Sequence, residues 1–293
     1  MALFGNKKLL DAEAAVATFR NAARLNKEDP HKKGSMIHLP PYGQVVMTGD
    51  LHGHEKNFEK LKKYAMLDRT PARHVILHEM VHLDLVARTD IDTSHELILK
   101  AAEYKCEFPD QVHFLQSNHE LAQLTGYLIA KNGRVVIEEF NVAVEGAYGS
   151  DKAAGVLAAI NEFIATFPIA VRTPNRVLLT HSLPNAYDMD EFDLTLFQRD
   201  LTPSDLQSNR TLFNLVWGRR HTQEQIDALA RSFDVDTFIV GHQPQEMGAA
   251  KILERVIILA SNHNHGSFLP FDLSKGRSTD ELMQCVRKFV EIG

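Results

Sequence analysis

Cysteine is nearly absent: Cys106 and Cys285 are the only two in 293 residues. Two thiols are too few for a disulfide framework, and such scarcity fits a reducing compartment. Long apolar runs are missing as well. None approaches the roughly eighteen residues that span a bilayer. The opening stretch MALFGNKKLLDAEAAVATFRNAARL lacks the apolar segment and small-residue cleavage site of a secretory leader. A cytoplasmic location is therefore expected, without membrane partners. Positive charge is short: 32 Lys and Arg against 38 Asp and Glu leave a net charge of −6. Without a basic surplus, binding to a nucleic-acid backbone is not expected. There is no internal repeat and no low-complexity segment. What is present is a globular composition, 44% hydrophobic and 24% charged, in a chain long enough for one large domain or two small ones.

Leu9, Leu10, Ala14, Val16, Ala17 and Phe19 recur at helical spacing and predict an amphipathic N-terminal helix. The charges, prolines and glycines of KEDPHKKGSMIHLPPYG (27–43) predict a linker after it. From there β-branched runs alternate with helical periodicity. QVVMTGD, HVIL, QVHFLQSN, RVLLTHS, TFIVGHQ and RVIILASN read as strands. EKNFEKLKKYAML, SHELILKAAEYKC with Ser94 as N-cap, and DKAAGVLAAINEFIATF read as helices. STDELMQCVRKFVEIG predicts a closing helix capped at Ser278. The alternation predicts an α/β fold.

Six of these β-rich runs end in side chains that can hold metal: Asp50 with His52, His78 with Glu79, Asn118 with His119 and Glu120, His181, His242, and Asn262 with His263. In open α/β sheets the carboxyl ends of strands are where ligands collect. One histidine at such a place is ordinary; six clusters of nitrogen and oxygen donors point to a metal centre. HEMVH (78–82) also spells H-E-x-x-H, the zinc-protease signature, in which both histidines must lie on one helix around a zinc. The apolar, β-branched HVIL before it favours a strand instead, and His78 and His82 are equally readable as solvated loop residues.

Taken in order, GDLHGH (49–54), SNHE (117–120), LLTHSLP (178–184), VWGRR (216–220), IVGHQP (239–244) and ILASNHNHG (258–266) resemble the motifs of calcineurin-like metallophosphoesterases, and among them the PPP-type Ser/Thr protein phosphatases. The resemblance spans residues 43 to about 272. It implies a β-sandwich core flanked by helices with a dinuclear site at the strand ends. Residues 41–275 would then form the metallophosphoesterase domain, 1–40 an N-terminal helix and linker, and 276–293 a C-terminal helix packed on it. By the same resemblance Asp50, His52 and Glu79 hold one divalent ion, and Glu79, Asn118, His181 and His242 the other. The implied ions are manganese, iron or zinc. His119 is the implied general acid, and Arg219, Arg220 and His263 the implied substrate contacts. The substrate would be a phosphorylated protein or small molecule.

HEMVHLD departs from the family's G-D-x-V-D-R-G segment. Glu79 stands for the bridging aspartate, His82 for the aspartate that orients the catalytic histidine, and Leu83 for an arginine. Phosphomonoester hydrolysis is the activity expected. A phosphatase-like module that binds without catalysis is the alternative of another class, and the zinc protease a distant third.

Overall fold

A computed structural model describes residues 9–293. The first eight residues of the predicted N-terminal helix lie outside the described residues. Within them the helix runs Ala12–Lys27, its first turn capped by the Asp11 carboxylate, and buries Ala15, Phe19, Ala22 and Ala23. That face packs mainly on the helices Ser94–Glu107 and Ala153–Ile164.

Two sheets lie face to face. In the five-stranded sheet Gln44–Thr48, Arg73–His78 and Val112–Leu115 run parallel. Ser267–Asp272 and Arg287–Lys288 extend it on the antiparallel side. In the seven-stranded sheet Val177–Thr180, Thr237–Val240 and Val256–Leu259 run parallel. Strands buried on both faces need continuous apolar runs rather than alternation, as HVIL, RVLL and RVIIL show. Val45, Met47, Ile76 and Leu115 of the first sheet meet Val171, Leu179, Ile239 and Ile257 of the second between the layers. On the outer face of the five-stranded sheet Val46, Val75, Leu77 and Phe114 meet Phe58, Ile98 and Phe163 of the helices. Leu178, Phe238 and Ile258 do the same on the other side against Leu215, Ile226 and Leu229. Each such fully buried side chain contributes about 1.5–3 kcal/mol. The result is the helix-flanked β-sandwich expected.

Several local readings change. The expected linker 27–43 contains two short strands, Lys32–Lys33 and Met36–His38, at the edge of the seven-stranded sheet. Met36 and Ile37 are buried there, so apolar partners outweigh the linker-like composition. Asp29, in the same stretch, is buried and accepts from Lys105 Nζ and His113 Nδ1, both at 2.9 Å. Ser94 is the first helical residue, not the cap; its hydroxyl instead accepts from the His82 backbone N–H (2.9 Å). The C-terminal helix does begin with a capping box at Ser278, but it ends at Gln284. Arg287–Lys288 then adds an edge strand that pairs with Ser267 and Phe268.

The parallel strands of both sheets end on the same side. A single bridge between Asp50 and Ala260 joins the two sheets at that rim.

Candidate metal centre

Each cluster read from the sequence sits just past a strand: Asp50 after Gln44–Thr48, Glu79 after Arg73–His78, Asn118 after Val112–Leu115, His181 after Val177–Thr180 and His242 after Thr237–Val240. To turn their side chains into the shared crevice, His52, Glu79, His82 and His242 adopt positive φ of 41°, 50°, 64° and 65°. Non-glycine residues rarely do so, and such geometry persists only where surrounding contacts impose it. Glu120 imposes part of it. Its buried carboxylate accepts from the Met80 N–H (2.7 Å) and is braced by the Ser117 hydroxyl, pinning the loop that carries Glu79. Burial first, and the nearby Glu79 charge second, push Glu120 up to about 7.

HEMVH is therefore not helical. His78 closes a strand and the next four residues form a loop, so the geometry a zinc protease needs is absent. Nor are His78 and His82 solvated: both are fully buried.

Among the described residues three donor groups converge. Glu79 shares one with His181 and His242, another with His52 and His119; Asp50, His78 and His181 form the third. In the first, His181 Nε2 lies 2.9 Å from Glu79 Oε2, 2.7 Å from Asn118 Oδ1 and 3.1 Å from His242 Nδ1. In the second, Glu79 Oε1 lies 3.1 Å from His52 Nε2 and 3.5 Å from His119 Nε2. Donors bound to one cation at about 2.1 Å sit roughly 3.0–3.4 Å from one another; the two 3.1 Å spacings fall inside that range and the 2.7, 2.9 and 3.5 Å spacings lie just outside it.

The proton inventory fits too. His52 Nδ1 donates to the Val81 carbonyl (3.1 Å), which leaves the Nε2 lone pair facing the Glu79 carboxylate. Two lone pairs in that position need a cation or a proton between them. A ligating histidine whose other nitrogen donates to a carbonyl is the usual second-sphere arrangement. Glu79 Oε2, although 2.9 Å from His181 Nε2, makes no hydrogen bond. Burial opposes ionisation of Glu79, yet His181 and His52 hold it well below the usual carboxylate range. Burial pulls His52 down, but Glu79 overrides it and lifts His52 to about 9.

Asp50 differs from expectation in its company. Its Oδ1 accepts from His78 Nε2 (3.0 Å) and from the His242 backbone N–H (2.9 Å), and it falls in a group with His78 and His181 rather than with His52 and Glu79. The contact depends on Gly241. A Cβ there would stand 2.2 Å from Asp50 Oδ1 and 2.3 Å from His78 Nε2.

Arg219 is brought to the centre: Nε donates to His242 Nε2 (2.9 Å). Arg220 is exposed, and its backbone N–H is held by Asn185. His263 belongs to none of the three groups; its Nε2 meets the Gln245 carbonyl at 2.9 Å. His54 is structural, accepting from the Asn57 N–H at a helix start. Beside His242 an open groove of about 300 Å³ is walled by Tyr127, Phe213 and Trp217, with Trp217 edge-on to the His242 ring.

A family model of calcineurin-like phosphoesterases matches residues 43–246. The chain belongs to the calcineurin-like phosphoesterase family. Among solved structures it is similar to a protein serine/threonine phosphatase from Saccharomyces cerevisiae with similarity to human PP5, at 15% identity and TM-score 0.63, covering 90% of this chain and 83% of that one. It is also similar to the cold-active protein-tyrosine phosphatase of a psychrophilic Shewanella species, at 16% identity and TM-score 0.58, covering 86% and 80%. At such identities the likeness shows the fold. No curated protein matches. Family membership supports phosphoester hydrolysis as the chemistry of this metallophosphoesterase, and the donor groups above are its candidate metal-binding residues. Among the described residues no helix is long and apolar enough to cross a membrane.

Gln123 and Lys131 are not among the residues the sequence points to; Glu120 is, as a metal-capable side chain, but its carboxylate pins the Glu79 loop instead. Lys131 reaches Asp84 (2.9 Å) and His52 (3.4 Å) from a hairpin whose turn is Asn132-Gly133. That Asn-Gly pair, at φ 52° and 77°, is a hairpin signal readable in the sequence.

Proposed function

We propose that this metallophosphoesterase is a phosphomonoesterase, with phosphoproteins among its substrates, working through two divalent ions of manganese, iron or zinc. The observation that carries the reading is the position of Glu79, whose two carboxylate oxygens face separate donor sets. His52 stands on one side; Asn118, His181 and His242 on the other. Asp50, braced by His78, adds negative charge to the same rim. Bound there, divalent cations would neutralise phosphate oxygens and supply hydroxide at neutral pH.

The remaining steps belong to the chain. His119, buried next to Asn118, would take up a proton on Nε2 and pass it to the leaving alkoxide, returning to the neutral ring. Arg219 would grip phosphate through its guanidinium. Were His242 to serve as a ligand through Nδ1, which faces Asn118 and His181, its ring proton would sit on Nε2, and Arg219 would be free to turn from His242 to the substrate. Arg220 and His263 would act from further out, and a cytoplasmic setting suits the two free thiols.

A second reading has its own observation: His82 and Leu83 occupy places where the family's pattern has an aspartate and an arginine. On it the protein holds metal and phosphate without turnover. Hydrolysis of an aryl phosphate by the manganese-loaded protein, abolished in Glu79→Gln, supports the enzyme. Two bound ions with no turnover of aryl or alkyl phosphates favours the binding module.

A further inference from the structure

Gln123 lies one helical turn after His119, so their side chains share a face of the helix Asn118–Thr125. Neither belongs to an isolated pair. Gln123 Nε2 donates to Asn141 Oδ1 (3.0 Å), its Oε1 lies 2.9 Å from His82 Nε2, and His82 Nδ1 lies 3.0 Å from His119 Nδ1. His82, His119 and Gln123 are all buried. The Phe140 ring packs edge-on against His82.

Donor and acceptor counting gives this chain one direction. The Gln123 amide spends a hydrogen on Asn141, which turns its oxygen to His82. An oxygen there only accepts, so His82 carries its proton on Nε2 and presents a lone pair at Nδ1. Two ring nitrogens 3.0 Å apart hold one proton between them, and it must come from His119 Nδ1. His119 Nε2, 3.5 Å from Glu79, is then the nitrogen that exchanges protons with the site.

We infer that Gln123 and Asn141 are positioning residues that set the His119 tautomer through His82, a neutral hydrogen-bond chain in place of a carboxylate. This rests on the proposed phosphatase reading only for its catalytic consequence; the proton assignment stands on the geometry alone. The chain also explains how His82 is tolerated fully buried: Ser94 takes its backbone N–H, and Gln123 and His119 take both ring nitrogens.

The test is long-range proton–nitrogen correlation spectroscopy of the imidazoles in the full chain, metal-free and loaded with diamagnetic zinc. His82 should carry its proton on Nε2 and His119 on Nδ1. Gln123→Met should mix or invert both tautomers, and Gln123→Glu, which still accepts, should restore them. In kinetics Gln123→Met should lower kcat on an alkyl phosphate by about 10–100-fold with KM little changed, the size of a misplacement effect. Gln123→Glu should recover most of it. A neutral His119 with its only proton on Nε2 in the parent protein, or unchanged tautomers in Gln123→Met, overturns the inference. If Gln123→Met fails to fold, Asn141→Ala replaces it, since freeing the amide to rotate should also mix the tautomers; unchanged tautomers there overturn it equally. Absence of turnover in every variant including the parent, with the tautomers as assigned, would remove the phosphatase reading and leave the chain standing.

Discussion

Replacing Glu79 by Gln keeps the side chain's shape and removes its charge. The structure places that charge 3.1 Å from His52 Nε2 on one side and 2.9 Å from His181 Nε2 on the other. Two divalent ions about 4 Å apart repel by roughly 17 kcal/mol at an effective dielectric near 20, and a unit negative charge about 2 Å from both attracts each by about 17 kcal/mol. With the carboxylate the attractions outweigh the repulsion about twofold; without it only the repulsion remains between the ions. Water and the other ligands offset most of this. A loss of at least about 100-fold in affinity for the first ion, near 2.8 kcal/mol, and of the second ion altogether is therefore expected. Plasma mass spectrometry of dialysed protein counts the ions, and calorimetric titration with manganese gives the affinities. Asp50→Asn and His242→Ala should each bring the stoichiometry toward one ion. His78→Ala, which acts through Asp50, should weaken binding by only about 10–100-fold. Two ions retained at parental affinity in Glu79→Gln, with binding lost in the His78 and His82 variants instead, would refute the reasoning.

His119→Ala should lower kcat by about 10²–10⁴ on an alkyl phosphate and much less on nitrophenyl phosphate, whose leaving group hardly needs a proton; equal losses on both would sink the acid role. Gly241→Ala drives a methyl between Asp50 and His78, so a fall in melting temperature equivalent to about 1–3 kcal/mol is expected together with weakened metal binding; unaltered metal affinity would show that the Asp50–His78 contact does not support the site. The third concerns pH, away from the metal centre. Burial first, then the neighbouring His113 and His31, hold His74 down at about 3. A folded value below the unfolded one means stability is present above about pH 6.5 and lost as pH falls, by about 2 kcal/mol at pH 5 from this group. Denaturant melts should show a smaller loss between pH 7 and 5 in His74→Gln, and an undiminished loss would remove His74 as the cause.

The strands and most helices were legible because their side-chain periods report burial directly: Val75–Leu77 and Val256–Leu259 are apolar on every residue because both sheet faces are covered. Local pattern failed where distant partners decided. Residues 27–43 look like a linker by composition, yet Met36 and Ile37 find a sheet edge, and Asp29 finds Lys105 and His113, more than seventy residues away. Ser94 has the look of an N-cap, but its hydroxyl is drawn to the His82 backbone.

The site divides in the same way. The donor types, and their place at strand ends, can be read from the residues because each cluster stops a β-rich run and the rims of parallel strands converge. HEMVH could not be resolved by its own five letters; whether it is helix or strand end depends on Gln44–Thr48 and Val112–Leu115 pairing on either side of it. Which nitrogen of each histidine faces the crevice, the diversion of Asp50 toward His78, and the chain from Asn141 through Gln123 and His82 to His119 belong to the tertiary structure alone. Hydrogen-bond direction is set by what lies opposite, and what lies opposite His82 and Asp50 comes from other strands and helices brought together only by folding.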